Sequence, residues 1–290
     1  MSWESAAGMI LRPTPMALPA AELGESACWD PAAGDFYWID SPAGLVHRLD
    51  GSGEHASWDV GQPVGVVRPR AAGGLAVGAG DGFLALDPAT GAVTRLATAE
   101  PDKPGNRMND GACDRAGRFY AGTMAADESP GQGAMHRLDP DHSVTQLFTG
   151  VGISNGIGWD PDERLMYYVD SLAYRVDVFD YDAATGAISG RRALASLGKG
   201  DVVPDGLAVD VDGGVWVAVW GGGIIQRYGA GGQRAGVVRL PAARVTSLAF
   251  GGPDLDQLYI TSANGPGRSA GAVFTCPSPV AGLPTHPYRG

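Results

Sequence analysis

Glu25, Asn109, Asn155 and Asp205 each stand five residues before an Asp of a turn-forming stretch: Asp30, Asp114, Asp160 and Asp210. Two more stretches of the same pattern place Pro63 before Arg68 and Thr246 before Gly251. If the six leading positions face one axis, two carboxylates and two amides converge there. Like charges repel in a poorly solvated space, and a divalent cation removes that repulsion. Carboxylate and amide oxygens are hard ligands suited to Ca²⁺, Mg²⁺ or Mn²⁺, with Zn²⁺ or Fe²⁺ as opportunistic occupants. The plain alternative is a water-filled rim of hydrogen-bonded polar side chains.

The elements that must carry these residues repeat along the chain. Gly156–Asp170 reads as a strand, a tight Asp/Pro turn and a second strand, followed by a third strand at Val176–Asp182. The same grammar starts near residues 26, 65, 111, 156, 206 and 247. These spacings match the roughly 40–50 residues of a four-stranded propeller blade. One such sheet cannot bury both faces, so six must stack around an axis, with Leu165–Val169, Val215–Val219 and Leu258–Ile260 filling the spaces between them. The expected fold is all-β, a six-bladed β-propeller forming a single domain over 1–290, with 1–19 as an N-terminal extension or closing strand. Asp30, Asp114, Asp160, Asp210 and Asp212 read as turn residues, because Asp bonds its own backbone there. Asp210-Val-Asp212-Gly213 lacks the later ligands of a calcium loop.

Composition narrows the functions. The 290 residues carry 21 Lys+Arg against 32 Asp+Glu, a net charge of −11 that disfavours nucleic-acid binding. Gly 45 and Pro 21 suit many short strands, while 44% hydrophobic residues argue against disorder. The longest apolar run, Val215 to Ile225, falls short of the ~20 residues of a membrane span. Cys28, Cys113 and Cys276 form neither a disulfide framework nor a CxxC zinc site. The first 20 residues lack a secretion signal. A cytoplasmic monomer or weak homo-oligomer is the expectation. Gly152-Ile-Ser-Asn-Gly156 fits the G-x-S-x-G nucleophile elbow, but a strand with a Trp-Asp-Pro turn follows it, and the only later histidine is His286. Serine-hydrolase chemistry is therefore not expected, and the other histidines read as surface or satisfied residues.

The segments around these positions resemble the SMP-30/gluconolactonase/LRE family. They are Leu-Gly-Glu25-Ser-Ala-Cys-Trp, Asn-Arg107-Met-Asn109-Asp-Gly, Ile-Ser-Asn155-Gly-Ile-Gly-Trp and Pro-Asp205-Gly-Leu-Ala-Val-Asp, together with Ala121-Gly-Thr-Met124, Tyr167–Leu172 and Phe250-Gly-Gly252. The resemblance implies a six-bladed propeller with one catalytic divalent metal that hydrolyses sugar lactones to aldonic acids. It implies Glu25, Asn155 and Asp205 as metal ligands, with Asp205 also the proton acceptor, and Arg107 and Asn109 as substrate contacts. An acidic substrate contact falls on Asp127, next to Glu128. The segments 101–106 and 125–133 read as lids. Two departures stand out: Gly-Glu-Ser-Ala replaces the family's Gly-Glu-Ser-Pro, and Asn264–Gly271 is short, which bears on substrate identity. The competing readings are a non-enzymatic Ca²⁺-binding regulatory propeller and an esterase or phosphotriesterase-like propeller.

Overall fold

A computed structural model describes residues 9–198 and 200–290; the first eight residues of the expected 1–19 extension lie outside the described residues. Six antiparallel sheets follow one another along the chain, over 24–59, 64–98, 106–151, 154–196, 203–239 and 245–277, here blades one to six. The six-bladed propeller expected from the repeat is the fold observed. Among the described residues the only helical piece is a single 3-10 turn, Ser171–Ala173.

Blade six supplies only three strands of its own. The fourth comes from the start of the chain: Thr14–Pro15 pairs antiparallel with Phe274–Pro277, Thr14 opposite Thr275. Met9–Leu11 adds a fifth strand to blade five, parallel to Arg234–Arg239, which the sequence did not foretell. The N-terminal segment thus stitches two neighbouring blades.

The core lies between blades. Side chains alternate across a strand, so each sheet serves two interfaces at once. In Val215–Trp220, Val215 and Val217 pack with Tyr167 and Val169 toward blade four, while Trp216 and Ala218 pack with Leu248, Phe250 and Ile260 toward blade six. An equivalent cluster closes the ring between blades six and one, where Trp29, Phe36 and Trp38 meet Ala249 and Val273. Burying a Trp this completely contributes ~3 kcal/mol or more, which fixes the blade angles and so the direction of the inner strands.

The turns behave as their Asp residues suggest. Asp30 accepts from the Ala32 N–H at 2.9 Å, Asp114 from Arg118 at 2.8 Å, Asp160 from Arg164 at 2.7 Å and Asp210 from Gly214 at 2.7 Å. At this turn end of the channel the C-terminal segment crosses from blade to blade. Leu283 N–H bonds Val209, Tyr288 N–H bonds Pro69, and Arg289 N–H bonds Gly117, all at carbonyls. A cavity of about 130 Å³ remains beneath it, lined among others by Arg68, Trp159, Leu207 and Phe250. Cys28, Cys113 and Cys276 are buried, free thiols.

Candidate metal centre

At the opposite end, every inner strand breaks register at or just after the position singled out by the repeat. The irregularities fall between Glu25 and Cys28, Val64 and Val66, Met108 and Gly111, Ser154 and Ile157, Pro204 and Leu207, and Val245 and Ser247. A bulge inserts a residue, bends the strand and re-aims its side chains. Glycines make room for this: a Cβ on Gly206 would lie 2.8 Å from the Thr246 carbonyl oxygen, so the inner strands of blades five and six touch backbone to backbone there.

Asn155 and Asp205 are 5% and 4% exposed. The Asn155 amide is fixed by a relay: its Nδ2 donates to Ser171 Oγ at 2.9 Å, and that hydroxyl donates to the Pro204 carbonyl at 2.7 Å. Ser171 owes its place to the 3-10 turn, whose cap Asp170 accepts from the Gly152, Ile153 and Leu172 N–H groups. The relay leaves Asn155 Oδ1 without a hydrogen-bond partner among the described residues, and Asp205 Oδ1 is likewise unpartnered. Glu25 is held from the other side of the ring. Asp40 accepts from the Glu22 and Leu23 N–H groups just before it, and Ser26 after it takes a left-handed φ of 54°.

The three proposed ligands come together electrostatically. Burial pushes the Glu25 carboxyl well above the usual carboxylate range, and repulsion from Asp205 and Asp110 pushes it further. Burial raises Asp205 likewise, with repulsion from Asp110 added, against a hydrogen bond from Asn155. Asp110 is itself pushed up to about 6 by burial, partly countered by Arg68. Glu25 and Asp205 are thus each desolvated and within reach of another carboxylate's repulsion. Arg107 stands against Glu25, its own basicity lowered by burial. Its Nη1 donates to Asn109 Oδ1 at 2.8 Å, while Asn109 Nδ2 donates to the Ser154 carbonyl at 2.7 Å, next to Asn155.

Asp127 lies apart from this cluster. It is exposed, and its carboxylate accepts from the Ser129 N–H at 3.0 Å. The adjacent Glu128, at φ 60°, is the acid whose charge reaches Arg107. Ser154 of the elbow-like motif begins a strand, and its Oγ accepts from the Tyr168 hydroxyl at 3.1 Å; among the described residues no histidine or carboxylate hydrogen-bonds it. The other two hub positions are spent within the fold, for Pro63 bears no polar side chain and Thr246 Oγ1 pairs with the Gly24 carbonyl and Thr261 Oγ1.

Sequence alone does not assign Asp110, Ser171 or Arg68 to this site. Asp110 was detectable: among residues directly following the six ring positions it is the only carboxylate. Ser171 lies in the Tyr167–Leu172 stretch, but nothing local marks its contact with Asn155. Among the described residues no three His, Cys, Asp or Glu side chains form a cation cluster. The set that fits a cation is two carboxylates and an amide, and two unpartnered buried oxygens are what such an ion satisfies.

Fold and hub together define a six-bladed propeller with buried carboxylate and amide oxygens gathered at one end of its channel. The sequence profile of the SMP-30/Gluconolactonase/LRE-like region matches residues 23–264, and the chain belongs to that family. Regucalcin of Bos taurus is 40% identical over 283 residues, spanning 92% of this chain and 95% of that protein. A structure described as a calcium-binding protein, regucalcin, from Agrobacterium tumefaciens superposes with a TM-score of 0.92 at 28% identity, covering 98% of this chain and 100% of that one. A luciferin-regenerating enzyme follows at 0.86 and 31% identity, covering 96% and 100%. Among the described residues no helix is long and apolar enough to cross a membrane.

Proposed function

We propose that this chain hydrolyses a sugar lactone to the aldonic acid at the hub, with one divalent cation held by Glu25, Asn155 and Asp205. The observation that carries this reading is the pair of unpartnered buried oxygens, Asn155 Oδ1 and Asp205 Oδ1, beside the Glu25 carboxylate. When bound, the cation supplies Lewis acidity and lowers the pKa of water.

The side chains do the rest. Asp205, buried beside the bound substrate's water, accepts a proton from the water whose oxygen bonds to the lactone carbonyl carbon. As the bond from that carbon to the ring oxygen breaks, the proton passes to the ring oxygen, and a hydroxy acid leaves. Arg107 keeps its charge at the rim and offsets negative charge developing on the carbonyl oxygen. Asn109 fixes the Arg107 guanidinium by accepting from it, and orients the sugar beside it. The acidic contact to sugar hydroxyls falls on Asp127, with Glu128 standing nearer the Arg107 charge.

The test is acid release across a panel of aldonolactones after reconstitution with Ca²⁺, Mg²⁺, Mn²⁺ or Zn²⁺. Turnover that disappears with chelator is the expected result. Tight ion binding with no lactone turned over would instead favour the non-enzymatic calcium-binding reading.

A further inference from the structure

Arg68 breaks the pattern of the turn end of the channel. In blades one, three, four and five that position is an Asp bonded to its own turn, whereas Arg68 leaves its turn and reaches into the channel beneath the hub. Its side chain is only 11% exposed. Nη1 donates to Ser26 Oγ at 2.9 Å and to the Val67 carbonyl at 2.6 Å. Nη2 donates to the Gly111 carbonyl and stands 4.0 Å from Asp110 Oδ1. One guanidinium from blade two therefore grips blade one at the residue after Glu25, and blade three two residues after Asn109.

The grip on Ser26 bears on Glu25. A non-glycine residue at φ 54° is a strained conformation that persists only where neighbours over-determine it. Here two donors converge on the Ser26 hydroxyl, Arg68 Nη1 and the Val67 N–H, the latter at 3.0 Å. The strained backbone decides where the preceding side chain points. The planar fork of Arg can span three acceptors at once, which a Lys ammonium on a flexible stem does less well.

Taking the hub to be an ion site, we infer that Arg68 is a positioning residue for it, locking Ser26 in the conformation that aims Glu25 at the ion. Isothermal titration of the full-length protein with Mn²⁺ and with Ca²⁺ tests this in the wild type, Arg68→Met, Arg68→Lys, Ser26→Ala and the Arg68→Met/Ser26→Ala double variant. Arg68→Met and Ser26→Ala should each weaken ion binding about five- to thirty-fold, with Arg68→Lys between wild type and Arg68→Met. Because both act through one hydroxyl, the double variant should bind within about two-fold of Arg68→Met. Wild-type affinity in the folded Arg68→Met protein, with only its melting midpoint lowered, would reduce Arg68 to a structural contact and overturn the inference. So would single effects that multiply in the double variant. If Arg68→Met does not fold, Ser26→Ala decides alone, and unchanged affinity there has the same force. Failure of the wild type to bind either ion would remove the ion-site reading itself, a distinct result from equal binding by wild type and variants.

Discussion

Asp205 and Asp210 lie five residues apart, one on an inner strand and one in the turn that ends it, and both are buried. Asp210 is completely used. One oxygen accepts from the Asp212 and Gly214 N–H groups, the other from Trp216 Nε1 at 2.7 Å and Arg227 Nε at 2.8 Å. Asp205 keeps one oxygen with no partner among the described residues and faces two other carboxylates. Leaving a buried polar atom unsatisfied costs ~1–3 kcal/mol, and more for a charge. A carboxylate whose lone pairs are all spoken for belongs to the architecture. One kept in debt at the centre of a ring belongs to whatever binds there.

The largest effects should come from exchanging these two fates. Asp205→Ala should cut lactone turnover by about three orders of magnitude or more, the scale of a lost general base together with a lost ligand. Its melting midpoint in chelator should stay at or above that of the wild type, since a repulsive charge has gone. Asp210→Ala should do the reverse, lowering stability by ~3–5 kcal/mol because Arg227 is left buried without its counter-charge. Denaturant melts alongside the lactone assay check both, and an Asp205→Ala protein with unchanged turnover would end the catalytic assignment.

A smaller effect concerns pH. Glu25 and Asp205 have raised proton affinities and Asp110 titrates at about 6, so the folded, ion-free hub binds more protons than the unfolded chain. That contribution to stability is fully present below the unfolded carboxylate range and is lost as pH rises through the raised folded values. Cation binding needs the ionised groups, so its stabilisation grows over the same interval. The gap between melting midpoints with Ca²⁺ and with chelator should widen from pH 5 to pH 8 and vanish in Asp205→Ala. A gap of constant size would separate the ion from these carboxylates.

The smallest effect belongs to the rim. Asp127→Ala should raise KM for the lactone about two- to five-fold with kcat little changed, as expected for an exposed contact. Glu128→Ala, measured beside it, tells which acid of the pair meets the sugar.

Much of this was legible because the repeat is a ruler. Counting from Asp30, Asp114, Asp160 and Asp210 locates the inner strands and the ring that contains Glu25, Asn155 and Asp205. The register breaks were not legible, since a bulge is a backbone event, and the break between Met108 and Gly111 is where Asp110 turns toward Glu25 and Asp205. Arg68 was visible as an oddity in the turn series, but its reach across to Ser26 depends on the distance between two blades far apart in sequence. Asp127 and Glu128 differ in outcome by one left-handed residue, which an Ala-Asp-Glu-Ser stretch does not announce. The parallel pairing of Met9–Leu11 has no local signature either.

The seam at Thr14 and Thr275 carries a consequence for biosynthesis. A ribosome releases the first partner of that handshake almost an entire polypeptide before the second exists. Until the second arrives, the Trp29, Phe36 and Trp38 face of the first-made blade has no neighbour to cover it. Contacts so remote in sequence form slowly, and an uncovered aromatic wall is adhesive in the meantime. The circle can be sealed only after nearly the whole chain has been made, so that aromatic wall is the face with the longest exposure during synthesis.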